Sequence, residues 1–210
     1  KYKVDLPPDT GHHVIKYGID DTHLEHLFIT HDHSDHCDPS FLAWRRTAVS
    51  GTDTMRPLHV YSGEEVERLL SEKVPFERCK VTFHRFEPFR WVHLGPLSVY
   101  SLQANHSDPS CLNFVVQVKG STVLLGWDTG KWSDETWTAV RQFRFDAVFL
   151  ECTAAGPKGR DAGPGHLNAT TFLEMKDQMN RLNLVKQKAP FVAVHLGDNS
   201  RLDHEQMHDY

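Results

Sequence analysis

Apolar residues come in short runs separated by turn-forming residues, and strand-like and helix-like periods alternate along the chain. EHLFITH (25–31) is a compact apolar run that suits a buried strand. DPSFLAWRR (38–46) starts like a helix, with Asp38 placed as its N-cap and Pro39 at its first position. PLHVYSG (57–63) reads as a strand and EEVERLLSEK (64–73) as an amphipathic helix. CKVTFHRF (79–86) and LSVYSLQANH (97–106) are two further strands. Residues 112–130 read as a hairpin turning near Lys119, Gly120 and Ser121. SDETWTAVRQF (133–143) is helical in pattern, and FDAVFLECT (145–153) is an apolar strand. GPKGRDAGPG (156–165) is a glycine-rich loop. NATTFLEMKDQMNRL (168–182) is a helix capped by Asn168, and PFVAVHL (190–196) is a last strand.

This order predicts an α/β protein. With no internal repeat, low-complexity tract or linker, residues 1–210 read as a single domain. The pattern also points to chemistry. Polar residues repeatedly follow the last apolar residue of a strand: His31 to His36, His106, Asp128, Glu151 and His195. In layered α/β folds, sites collect at such strand ends, where a rigid sheet positions the loops.

Composition narrows the partners. The formal net charge is −5, so the chain has no basic footprint for nucleic acid. No apolar stretch approaches the ~20 residues of a membrane span, and no secretory signal is visible. Cys37, Cys79, Cys111 and Cys152 are scattered without a CxxC pair, which reads as thiols in a reducing, cytoplasmic compartment. The 15 histidines are the one compositional oddity.

Six of the most polar positions are contiguous: His31, Asp32, His33, Ser34, Asp35 and His36. Such a cluster cannot be buried without partners, because unpaired polar groups cost kilocalories each. A solvated loop would hold it at no cost, but the spacing argues for ligands. In an extended segment His31 and His33 project to the same side. A turn then lets Asp35 and His36 point at a second centre. Imidazole suits zinc or iron, and a carboxylate widens the choice to manganese.

This HDHSDH segment has the form HxHxDH and resembles the metallo-β-lactamase superfamily. The resemblance implies an αββα sandwich and three more ligands in fixed order, which the chain supplies as His106 in ANHSD, Asp128 in LLGWDTG and His195 in FVAVHLGD. It assigns His31, His33 and His106 to one divalent ion and Asp35, His36 and His195 to another, with Asp128 bridging both. Zinc or manganese is expected, with iron as a further candidate. Two cations flanking one water lower its pKa towards neutrality and make a hydroxide nucleophile. Asp35 would also orient that hydroxide. Family members ordinarily place two or more strands before a segment like KYKVDLPPDT, which stands here at residues 1–10. The expectation is therefore a sandwich short of its first strands and shortened at its far end.

DLPPDT (5–10), LLGWDTG (124–130), LECT (150–153) and GHLN (165–168) look like the branch containing the phosphoribosyl cyclic phosphodiesterase of phosphonate breakdown. That branch carries a non-ligand histidine before a helix beginning Leu-Asn, which here is His166. The expected activity is phosphodiester hydrolysis of a small molecule, with Asp35 and His166 as catalytic residues. Competing readings are a lactone or thioester hydrolase on the same centre, a tRNA 3′-processing nuclease, and a non-catalytic metal-binding relative. No tRNA-binding arm insertion is visible, and the charge is negative. A homodimer is left open.

The remaining features read more blandly. Glu151 and Cys152 are expected to be hydrogen-bonding and packing residues. Arg45 and Arg46 are either solvated or turned to an anionic substrate. Trp127 is a candidate pocket wall. His12, His13, His23, His26, His59, His84 and His93 have no ligand spacing. GPKG and GPG lack the GxxxxGK[ST] pattern of a phosphate loop. His204, Glu205 and His208 fit the HExxH spacing of a zinc helix, but the seven-residue set is already complete without them.

Overall fold

In a computed structural model, the structure describes residues 1–19, 21–46, 55–155, 163–197, 203 and 205–206. The chain divides into two compact units, Lys1–Glu87 and Pro88–Tyr210.

The first unit is built on four strands, β1 (Tyr2–Val4), β2 (His26–Phe28), β3 (Leu58–Ser62) and β4 (Val81–Arg85), all parallel and ordered as in the chain. Helices α1 (Thr10–Tyr17), α2 (Pro39–Ala43), α3 (Glu64–Lys73) and α4 (Phe76–Cys79) make the connections. Parallel strands need such crossovers, because a tight turn cannot return the chain in the same direction. One face of the sheet, with Leu27, Leu58, Val60 and Val81, packs with Leu42, Val66 and Leu70 into a buried core. Each fully buried Leu or Val contributes roughly 1.5–3 kcal/mol. Asp38 caps α2 by accepting the Ser40 amide at 2.9 Å.

The helix expected over 38–46 ends early. Its last residues form a 3₁₀ turn, Trp44–Arg46. Arg45 is neither solvated nor turned to a substrate. It is buried, its Nε donates to the Cys79 carbonyl at 3.1 Å, and its guanidinium donates to the Arg56 carbonyl at 2.7 Å.

The second unit carries a six-stranded sheet: β5 (Trp91–Leu94), β6 (Leu97–Gln103), β7 (Leu112–Val118), β8 (Ser121–Gly126), β9 (Ala147–Glu151) and β10 (Phe191–Val194), in the spatial order β10-β9-β8-β7-β6-β5. The β5–β8 pairings are antiparallel, and β9 and β10 then join β8 in parallel. The β7–β8 hairpin turns at Lys119 and Gly120, both at positive φ (50° and 82°), as a two-residue turn matched to strand twist requires. Helices α5 (Asp134–Val140) and α6 (Ala169–Arg181) add Trp137, Val140, Phe172, Met175 and Met179 to a core with Val115, Leu124, Val148 and Leu150. Asn168 caps α6 through a reciprocal box with Thr171.

Because β7 runs against its neighbours, β6, β8, β9 and β10 all end at one edge of this sheet. His106, Asp128, Glu151 and His195 follow or close those four strands. Among the described residues, no helix is long and apolar enough to cross a membrane. The four thiols are buried and form no disulfide. Burial pushes Cys37 up to about 12 and Cys111 and Cys152 up to about 11, so none of these three is a ready nucleophile.

Candidate functional site

In the first unit, the site residues occupy the loop after β2. Its tight turn is closed by the His36 and Cys37 amides, which both donate to the His33 carbonyl at 3.0 and 2.8 Å. The turn brings the rings of His31 and His33 to 4.5 Å and those of His31 and His36 to 4.4 Å. Ligand atoms of His31 and His33 lie within 4.8 Å of each other, as do those of Asp35 and His36. His31 and His36 are buried, whereas Asp35 has 61% of its side chain exposed and lies 3.5 Å from His36 Nε2.

Sequence reasoning missed the group that holds this loop. Asp5, one residue past β1, is buried at φ 56°, which swings its side chain towards β2. It accepts the Thr30 amide at 2.7 Å and the Thr30 hydroxyl at 3.0 Å, and it pairs with His36 Nδ1 at 2.7 Å. Burial raises its carboxyl above the usual range, and the His36 and Thr30 bonds pull the other way. The Thr30 hydroxyl also meets His31 Nδ1 at 3.0 Å. Its signals in the sequence were its place directly after the tripeptide YKV and at the head of the DLPPDT segment.

In the second unit, Asp128 lies at the end of the β8 strand and is buried. Its φ of 41° turns the side chain off the strand direction. One oxygen faces His195 Nε2 at 3.1 Å and the other faces His106 Nε2 at 3.7 Å. The opposite ring nitrogens are held: His106 Nδ1 by the Gly165 carbonyl at 2.9 Å, and His195 Nδ1 by the Thr153 hydroxyl at 3.0 Å. His195 shares the left-handed backbone, at φ 54°.

His166 belongs to the same cluster. Its ring stands edge-on to His106 at 4.7 Å and stacks on His195 at 5.9 Å. Glu151 is fully buried and holds this corner together. One oxygen takes His166 Nδ1 at 2.8 Å and the Thr129 amide at 3.1 Å, and the other takes the Thr153 amide and hydroxyl at 2.8 and 2.9 Å. It is thus a hydrogen-bonding residue, as the sequence suggests, and one that positions His166.

Gly130 has to be glycine here. A Cβ at that position would lie 1.9 Å from the Pro164 carbonyl oxygen, so any side chain would push away the strand of loop that carries Gly165 and His166. Residues 156–162 of the glycine-rich loop, and His204 and His208, lie outside the described residues.

The donor set suits divalent cations. Metal-ligating histidines characteristically anchor one ring nitrogen on a carboxylate, carbonyl or hydroxyl and present the other. His31, His36, His106 and His195 all have Nδ1 so engaged. A buried carboxylate aimed at two imidazoles through different oxygens is the form a bridging ligand takes.

The profile of the beta-lactamase superfamily domain matches residues 12–195. No curated protein sequence matches the chain. Among solved structures, it is similar to the metallo-beta-lactamase fold protein YhfI from Bacillus subtilis, at 17% identity over 94% of this chain and 77% of that one, with a TM-score of 0.71. It is also similar to a diphosphatase from the PhnP family, at 17% identity over 96% and 70% of the two chains and a TM-score of 0.68. Human tRNase Z, short form, is 18% identical over 92% and 80%, with a TM-score of 0.68. At these identities the likeness shows the fold, which is the metallo-β-lactamase fold with mixed α/β sheets.

Proposed function

The chain belongs to the beta-lactamase superfamily, a group of metal-dependent hydrolases, and from that premise we propose that it is a dinuclear phosphodiesterase acting on a small molecule. The observation that carries this reading is Asp128, with an oxygen turned to each of His106 and His195. In the proposed assignment His31, His33 and His106 hold one ion, Asp35, His36 and His195 hold the other, and Asp128 serves both. Zinc or manganese fits this mixture of imidazole and carboxylate, with iron as a further candidate. When bound, the pair of cations would supply Lewis-acid stabilisation of charge on phosphate oxygens and a nucleophile from water near neutral pH.

The chain's own residues do the rest. Asp35 accepts a hydrogen bond from the attacking water and aligns it. Asp5, Thr30, Thr153 and the Gly165 carbonyl fix the histidine rings, so that little reorganisation is needed when charge develops. His166 gives a proton to the departing alkoxide. Glu151 holds its Nδ1, so Nε2 is the atom that carries the proton in transfer. A phosphorus substrate is supported by two of the similar structures, one a diphosphatase and the other a tRNase. The net charge of −5 favours a small substrate over tRNA.

The test compares substrates by leaving group. His166→Ala is expected to keep its metal content but to slow hydrolysis of alkyl phosphodiesters by about 10²–10⁴-fold, the usual worth of a positioned acid. Loss on bis(p-nitrophenyl) phosphate should be far smaller, because that leaving group hardly needs a proton. Equal losses on both would make His166 a phosphate-binding residue instead. A wild-type enzyme that hydrolyses a homoserine lactone or thioester, and neither phosphodiester, would overturn the substrate class.

A further inference from the structure

A second group of imidazoles lies on the first unit's sheet, on strands β2, β3 and β4. His26 is on β2, His59 on β3 and His84 on β4, all half-buried. Register pairs His26 with His59 and Tyr61 with His84, so the rings share one face of the sheet. His59 Nδ1 and His84 Nε2 are 2.9 Å apart. His26 stacks on His59 at 5.5 Å, and its Nδ1 lies 3.4 Å from the Tyr61 hydroxyl. Tyr61 stacks on His84 at 4.7 Å and Tyr2 on His26 at 5.3 Å, walling the group on two sides.

We propose that His59 and His84, completed by His26, form a separate binding site for a borderline divalent cation such as Zn²⁺. The geometry supplies the reason. Two imidazoles on a tetrahedral ion, with Zn–N near 2.0–2.1 Å, place their nitrogens about 3.3 Å apart. His59 Nδ1 and His84 Nε2 already face each other only slightly closer than that, from neighbouring strands that hold their backbones fixed. His26 is one strand away with its ring 5.5 Å from that of His59, and it would have to turn from the Tyr61 hydroxyl to complete the set. The hydrogen that joins the two nitrogens moves to the other nitrogen of its own ring. Both rings therefore stay neutral, and the cation enters without an exchange of charge. Imidazole-only donors exclude Mg²⁺ and Ca²⁺ and select zinc, nickel or copper. Such an ion would fasten β2, β3 and β4 together across their shared face. Protons compete with a cation for imidazole nitrogens, so binding should weaken in acid.

The experiment follows the rings themselves. ZnCl₂ is titrated into the full chain at pH 7.5, and long-range ¹H–¹⁵N spectra record the histidine ring nitrogens, assigned with His59→Gln and His84→Gln. The site predicts that the His59 and His84 ring nitrogens shift at a zinc equivalent separate from the one that moves His31 and His106. Each variant should abolish the shift in the remaining ring while leaving hydrolysis intact. Signals of His59 and His84 that stay fixed through a several-fold zinc excess overturn the site, as does a variant that binds the same number of ions. Where a Gln variant fails to fold, His59→Asn or His84→Asn supplies the assignment, and the wild-type titration then decides the matter. Failure of the His31 and His106 signals to respond counts against the dinuclear reading instead.

Discussion

Asp128 faces two histidines through two oxygens, so its removal releases both at once, whereas His33 is one exposed imidazole of the proposed set. Asp128→Ala should therefore lower kcat/KM and metal content more than His33→Ala, measured side by side on one phosphodiester. Near-normal rate and metal content in Asp128→Ala would remove it from the bridging role. Asp5→Asn is a finer probe. Asparagine tolerates the left-handed backbone and still accepts the Thr30 amide, but it no longer offers His36 a charge. Metal affinity by competition titration should fall about 10–100-fold, the usual cost of losing a partner behind a ligand; unchanged affinity would make Asp5 purely structural. Asp128, His106 and His195 were visible in the sequence because each stands directly past an apolar run within a recognisable segment. Asp5 was not, because its three-residue strand offers too little pattern to mark where it ends.

At the scale of elements, legibility followed length and burial. The strands at 58–62 and 147–151, the 112–126 hairpin and the long α6 helix all lay within the spans their apolar patterns indicated. What the pattern hid was short or one-sided. The three residues of β1 and four of β5 carry too few positions for a period to appear. Helix α1 leaves Ile15 and Tyr17 exposed at 84% and 63%, so its apolar positions do not mark a core face. The β2–β4 sheet also sets a pH limit. Burial, first of all, and the neighbouring His59 hold the His26 and His84 rings below the usual histidine pKa of about 6.5. Glu25 pulls His26 back up, and the Lys1 amino group and His84 push it further down. The unfolded chain thus binds these protons more readily than the folded one. Stability from this source is complete above about pH 6.5 and is lost as pH falls through the depressed folded-state values. In thermal melts between pH 7.5 and 5, His26→Gln and His84→Gln should flatten the acid-side decline in Tm. Wild type and variants with parallel declines would show that these rings do not contribute.

For the molecule as a whole, family membership could be read from one hexapeptide because a single loop supplies four of the seven proposed ligands. The rest come from widely spaced strand ends, each weak alone and informative only in order. An ion bound by the folded chain and not by the unfolded one stabilises it by mass action, about 2.7 kcal/mol at a hundredfold excess over Kd. For a chain of this size that is about 5–10 °C in Tm. Chelation followed by dialysis should lower Tm by that amount, and reloading with zinc or manganese should restore it; an unmoved Tm would exclude tight metal binding. One feature of the fold bears on the history such a protein can have. Asp5, Asp128 and His195 all hold backbone conformations that favour glycine, at a cost of about 1 kcal/mol or more each. The chemistry is therefore maintained against the fold's own preference. A descendant released from selection for hydrolysis would gain robustness by drifting to glycine at Asp128 and His195, whereas Asp5 would stay, because its bonds to Thr30 and His36 hold the loop. Inactive lineages should thus be recognisable as the sturdier members of their kind, with the catalytic edge of the sheet worn smooth first.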